Sequence, residues 1–228
     1  MTGFAEHWRD RAISLAVFGD SITAGSAASM LERRWANLLA AALGVSRLAN
    51  KGISATILQN SPDASGAPRA ENGFSRYRRD LLGPDRADLV AILYGFNDAR
   101  YTQAPDTLNA DGFRRDYTAL VRGLIAAGYA PEALVLGSPP HIPDAGLAVD
   151  AVNGFAGQSR AEFQRHVGIV ETIAHEAGTY YAAVNEAMGA HGVDALVSLD
   201  HVHPNDAGHA AIARAFADAT PASDRYLK

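Results

Sequence analysis

The chain has no cysteine among its 228 residues, which removes disulfides, thiolate nucleophiles and sulfur metal ligands together. It also lacks a long apolar run. The stretch from Ala12 to Phe18 is too short for a signal-peptide core or a membrane span, and charge comes early, at Glu6, Arg9, Asp10 and Arg11. No membrane span is therefore expected, and a cytoplasmic location is the default. Nor is there an excess of positive charge: 20 Lys and Arg face 25 Asp and Glu, for a net charge of -5, and the two signs are mixed throughout. Without a basic stripe to neutralise a phosphate backbone, nucleic acid is excluded as a partner. Internal repeats and low-complexity linkers are missing too, and nothing in the pattern reports an oligomeric state.

What is present is an ordinary globular composition, 48% hydrophobic and 20% charged, at a length that one core can serve. A single domain over residues 1–228 is expected. Short apolar runs alternate with longer stretches of helical period, the pattern of an α/β domain around a mainly parallel sheet. Five strands are expected, at Ile13 to Phe18, Ser46 to Ala49, Leu89 to Tyr94, Ala133 to Gly137 and Thr179 to Ala182. Apolar residues at three- and four-residue steps predict helices from Leu31 to Ala42, Phe113 to Ile125, Phe163 to Ile173 and Ala207 to Asp218, the first three stopped by Gly44, Gly128 and Gly178. The tail from Pro221 to Lys228 is expected to fray. Stretches 61–72, 100–111 and 139–153 follow neither period. They come after strands two, three and four, so in a parallel sheet they would gather at the edge where ligands bind.

Four blocks stand at the ends of these elements. Gly19-Asp20-Ser21-Ile22-Thr23 follows strand one and sets a serine hydroxyl at the strand end; taken alone it is also ordinary turn chemistry. Asp200-His201-Val202-His203-Pro204 precedes the last helix, and its Asp-x-x-His spacing lets one turn of chain bring a carboxylate to one ring nitrogen while the other faces outward. A general base needs that arrangement: a fixed tautomer and a partner for the charge it acquires. Asn50-Lys51-Gly52-Ile53-Ser54 follows strand two, where Gly52 can offer an unhindered backbone N–H. Gly95-Phe96-Asn97-Asp98 follows strand three, where Asn97 can offer a side-chain N–H. With the Ser21 N–H these would make three donors around a developing oxyanion. Gly52 can equally serve only a tight turn, and Asn97 only a helix cap. Asp20 and Asp98 read as structural neighbours.

Together, in this order from residue 19 to residue 204, the four blocks resemble the SGNH, or GDSL, hydrolases. The resemblance implies a three-layer α/β/α, flavodoxin-like fold with a five-stranded parallel sheet in the order 2-1-3-4-5. It also implies a triad of Ser21, His203 and Asp200, and an oxyanion hole from Ser21, Gly52 and Asn97. Two departures from the family pattern are Ile22 in place of leucine and Ala55 after Ser54, where glycine is frequent. The implied activity is serine esterase chemistry through an acyl-enzyme, with no cofactor, on a small-molecule ester. Short acyl or acetyl groups, including those on carbohydrates, are the first choice, and lysophospholipid or thioester cleavage is the alternative within the family.

Two readings compete from outside it. Asp200, His201, His203, Asp206 and His209 crowd ten residues, as ligands of a metal-dependent hydrolase would, but no further ligand cluster with recognisable spacing occurs. An anion-binding flavodoxin-like module would use the Gly19–Gly25 turn and the helix N-terminus after it, and leaves Asp200 and His203 unexplained. Tyr94, Phe96 and Tyr101 flank the Asn97 block and are expected as substrate-pocket wall.

Overall fold

The computed structural model describes residues 2–63, 65–100, 109–147, 159–190 and 192–222. In chain order the elements are α1 (Phe4–Trp8), β1 (Ser14–Gly19), α2 (Ser21–Ala24), α3 (Trp35–Leu43), β2 (Arg47–Gly52), α4 (Gly73–Leu81), β3 (Leu89–Leu93), α5 (Phe96–Arg100), α6 (Ala110–Ala126), β4 (Leu134–Gly137), α7 (Asp144–Leu147), α8 (Arg160–Ala177), β5 (Tyr180–Ala182), α9 (Val184–Gly189), α10 (Asp206–Ala217) and β6 (Thr220–Pro221).

Strands β1, β3, β4 and β5 are buried along their whole length, as continuous apolar runs in a sheet covered on both faces must be. The sheet order is β2-β1-β3-β4-β5-β6, with the first five strands parallel. The expected five-strand order is present. A sixth strand extends it: Pro221 and Thr220 pair antiparallel with Tyr180 and Tyr181, so the tail is tied down as far as Ala222, whose N–H bonds Thr179 O. Helices α1, α3 and α10 pack together on one face, and α4, α6 and α8 on the other. At the centre of the first layer Trp35 stacks on Phe216 at 4.7 Å, both fully buried.

The helix expected from Leu31 begins only at Trp35. Leu31–Arg33 is a single 3-10 turn, and Arg34 is extended (φ -67°, ψ 139°). Leu31, counted as an inward position, is more than half exposed. The other three helices fall within four residues of their expected ends, and the left-handed Gly44 and Gly178 close α3 and α8.

The strand order places the functional edge. From β1 the chain crosses to β2 on one side and then returns to β3 on the other, so β1 lies at the reversal of direction where ligands bind in open parallel sheets. The ends of these strands are level: Gly19 pairs with Gly52 on one side and Leu93 on the other. The segments after all three strands therefore emerge side by side.

Candidate active site

Ser21 is delivered by the tightness of the turn after β1. A Cβ at Gly19 would overlap Thr23 Oγ1 and Leu93 O, so only glycine lets α2 fold back over the strand end. Asp20 caps α2, its Oδ1 accepting from Ile22 N at 2.9 Å. Its neighbour Ser21 occupies the first helical position, with a backbone N–H that has no partner among the described residues. Burial pushes the Asp20 carboxyl up to about 7, a shift that the Ile22 N–H opposes and the Asp98 charge reinforces. An anion at this helix end would meet the Asp20 carboxyl already bonded to the Ile22 N–H, which weakens the anion-site reading.

The histidine segment is organised by its own carboxylate. Asp200 Oδ1 accepts from Ser198 Oγ (2.7 Å), Val202 N (2.8 Å) and His203 N (2.8 Å), and these bonds close a turn in which His201 is left-handed at φ 58°. Asp200 Oδ2 then lies 2.6 Å from His203 Nδ1, and His203 Nε2 lies 2.9 Å from Ser21 Oγ. Partial burial pushes the Asp200 carboxyl up. The bonds from the His203 ring and backbone, Ser198 and Val202 outweigh this and hold it well below the usual carboxylate range. With an ionised Asp200 accepting from Nδ1–H, Nε2 carries the lone pair that accepts the Ser21 hydroxyl proton.

The third and fourth blocks meet beside this line. Asn97, in the first turn of α5, donates one Nδ2 hydrogen to Thr56 O at 2.9 Å and has a second N–H to offer. Asp98, fully buried, accepts from Leu58 N (2.9 Å), Gln59 N (3.1 Å) and Gln59 Nε2 (3.3 Å). The two residues thus clasp the backbone of 56–59 against α5.

Gly52 is a different matter. Its N–H is bonded to Asn50 Oδ1 at 2.9 Å in an Asx turn, so it is not free for a substrate oxygen. Glycine is required there for another reason: a Cβ would overlap Ala24 N on α2. Three residues on, Ala55 is exposed and left-handed at φ 61°, unusual for a residue with a Cβ, and its N–H has no partner among the described residues. Ala55 adjoins Thr56, the residue whose carbonyl holds Asn97. The sequence signal was the alanine standing where the family pattern favours glycine, a position that needs positive φ.

Two of the three expected pocket aromatics, Tyr94 and Phe96, are corrected as well. Tyr94 is 1% exposed; its edge packs on Phe18, and its hydroxyl bonds Thr56 Oγ1 (3.0 Å) and Arg76 Nη2 (2.6 Å). Phe96 is 2% exposed and edge-on to Phe163. Both follow a strand sandwiched between helix layers, so their side chains enter the core. Tyr101 lies outside the described residues.

The fold separates the side chains that crowd positions 200–209. His203 faces Ser21, Asp206 accepts from Ser29 N and Oγ (2.8 and 2.6 Å), and buried His209 spends its ring nitrogens on Trp35 N (3.4 Å) and Ser26 O (3.1 Å). Among the described residues, no three His, Asp or Glu side chains converge in a way that could hold a metal ion. An apolar cleft of about 600 Å³ lies between β5, α9 and α10, walled by Tyr181, Leu196 and the alanine face of α10; none of Ser21, Asp200 or His203 lines it. No helix among the described residues is long and apolar enough to cross a membrane.

By its architecture the protein is a three-layer α/β/α domain around a mainly parallel sheet. A lipase/acylhydrolase from Enterococcus faecalis superposes with a TM-score of 0.66 over 91% of this chain and 97% of that one, at 20% identity. The acetylxylan esterase Axe2 from Geobacillus stearothermophilus does so at 0.65 over 89% and 91%, at 22% identity. No curated protein matches by sequence. The model of the GDSL-like lipase/acylhydrolase family matches residues 17–211. The chain belongs to that family, and it is a carboxylic ester hydrolase.

Proposed function

We propose that the protein is a serine esterase in which Ser21 is the nucleophile, His203 the general base and then acid, and Asp200 the residue that orients and stabilises the imidazole. The observation that carries this reading is the continuous hydrogen-bonded line from Asp200 through His203 to Ser21, at 2.6 and 2.9 Å. Ser21 Oγ attacks the ester carbonyl as its proton passes to His203 Nε2. The imidazolium gives that proton to the departing alcohol, and an acyl-enzyme remains. Water, deprotonated by the same nitrogen, attacks the acyl carbon and returns Ser21 with its proton. The oxyanion of each tetrahedral intermediate is held by the Ser21 N–H, the free Asn97 Nδ2 hydrogen and, in place of Gly52, the Ala55 N–H. Strained backbone of the Ala55 kind concentrates where function holds it.

The substrates in this reading are small carboxylic esters with short acyl groups, acetyl esters of carbohydrates among them. Axe2, by its name an acetylxylan esterase, has the same fold. Hydrolysis of p-nitrophenyl acetate that disappears in Ser21→Ala, with one equivalent of an organophosphonate captured by the wild type and none by the variant, is the expected result. Undiminished hydrolysis by Ser21→Ala overturns the assignment. A chain-length series tests the substrate class: each buried methylene is worth about 0.8 kcal/mol, so an optimum above about eight carbons refutes the short-acyl reading.

A further inference from the structure

Of the residues of the crowded 200–209 segment that the chemistry above leaves without a role, two, Asp206 and His209, attach to one stretch of chain. The connector from Gly25 to Arg34 joins α2, which carries Ser21, to α3. At its start Ser26 N bonds Ser21 O at 3.0 Å, and Ser26 O accepts from His209 Nε2 at 3.1 Å. In its middle Ser29 gives both N–H and Oγ–H to Asp206, at 2.8 and 2.6 Å. At its end Arg34 supplies no side-chain cap to α3, and the Trp35 N–H is taken instead by His209 Nδ1 at 3.4 Å. All three attachments come from the first turn of α10, which begins three residues after His203. Between the first two, Ala27 is left-handed at φ 64°, a conformation that its surroundings must hold.

The bonds to His209 define its state. Donation from Nε2 to a carbonyl and acceptance at Nδ1 from an N–H require the neutral Nε2–H tautomer. Burial lowers the affinity of the ring for a second proton. The Ser26 bond and the Asp206 charge oppose that shift, while Arg34 and His203 add to it. A neutral, two-point imidazole is a rigid spacer.

We infer that His209 and Asp206 are positioning residues that set the Ser21–His203 distance, by strapping the chain downstream of the nucleophile to the helix downstream of the base. The path is short: Ser21 O to Ser26 N, Ser26 O to the His209 ring, and the first turn of α10 back to His203. The inference rests on the catalytic reading of Ser21 and His203. Neither strap residue touches substrate in it; their effect passes through the 2.9 Å contact.

The test uses the full chain and p-nitrophenyl acetate, with kcat and KM measured below the melting transition of each variant. His209→Phe fills the site without polar atoms. It should lower kcat on the order of ten- to a hundredfold, since displacements near 1 Å at a reacting pair cost that much, with KM within about twofold. His209→Gln, whose amide can reach Ser26 O, should recover part of the loss. Should His209→Phe not fold, Ser29→Ala and Asp206→Ala cut the outer strap from the surface and should each lower kcat several-fold with KM unchanged. A folded His209→Phe with wild-type kcat, a glutamine variant no better than phenylalanine, or wild-type kcat in both outer-strap variants overturns the inference. Ser21→Ala separates the two levels: if it stays active the catalytic reading itself fails, whereas an inactive Ser21→Ala beside fully active strap variants removes the strap alone.

Discussion

Replacing Asp200 with asparagine separates its two duties. Oδ1 organises the turn through Ser198, Val202 and the His203 backbone, and Oδ2 receives the His203 ring. Asparagine keeps an acceptor for the first set, so the turn and the melting temperature should change little. At the second position it puts an amide N–H where Nδ1–H now donates, at a separation of 2.6 Å. The ring escapes this clash by moving its proton to Nε2, the atom facing Ser21 Oγ, and there it can no longer accept a proton. Losing the correct tautomer in such a relay costs on the order of 10⁴ in turnover. kcat for p-nitrophenyl acetate should therefore fall about 10³- to 10⁴-fold with KM nearly constant. Asp200→Ala should be similarly inactive but also less stable, because it abandons the turn. The sign of the pH effect follows from the depressed carboxyl: its stabilisation is complete above the ordinary carboxylate range and is lost as acid protonates it in the folded state. Wild type should lose stability below pH ~4 more steeply than Asp200→Asn. A folded asparagine variant with turnover within tenfold of wild type refutes the reasoning.

Other outcomes follow from the same geometry. Asn97→Ala should cut kcat on the order of a hundredfold or more, the usual cost of one oxyanion donor, with KM little changed; turnover within twofold of wild type removes Asn97 from the oxyanion site. Gly52→Ala should lower both melting temperature and kcat, because the new methyl must displace the Ala24 backbone on the helix that bears Ser21; a variant indistinguishable from wild type in calorimetry and turnover rejects that close approach. Asp20 is protonated in the folded state up to about pH 7 and ionises near pH 3.8 when unfolded, so the folded state binds more protons between these values and stability falls as pH rises through them. The gap corresponds to about 4 kcal/mol, and Asp20→Asn, which keeps the cap on Ile22 N, should flatten that slope in denaturation curves at pH 5 and 8. An unchanged slope means that Asp20 is ionised in the fold.

The sheet was legible because its strands are short, apolar and separated by clear breaks, and the blocks at their ends mark where the chain turns. Helix α4 was not legible. One of its inward positions is Arg76, whose guanidinium lies 4.1 Å over the Phe18 ring and bonds Gly19 O, Tyr94 Oη and Asp80, so the apolar period is broken by a buried cation. Helix α1 is five residues long, too short to show a period. Ser21, Asp200 and His203 were legible as candidates because the proposed chemistry needs particular residue types at strand and helix ends, and the three side chains do lie in one hydrogen-bonded line. The proposed oxyanion donors are mostly backbone, which carries no residue signature; that is why the sequence pointed to Gly52, whose N–H is taken by Asn50, and not to the turn three residues on. Tyr94 and Phe96 failed as pocket wall for a related reason: nearness in sequence to Asn97 says nothing of whether a ring enters the core or faces a cleft.

The sixth strand bears on how molecules meet one another at high concentration. A sheet ends where its last strand still has hydrogen-bonding groups to offer, and an open border invites a neighbour to continue the ladder. Here the border beyond β5 is two residues long, and one of them, Pro221, has no amide hydrogen to give. The opposite border, β2, carries Arg47 and Lys51. A chain with this much β-prone apolar sequence is thereby shielded at both margins against stacking into extended fibrils, one by an imino acid and the other by like charge.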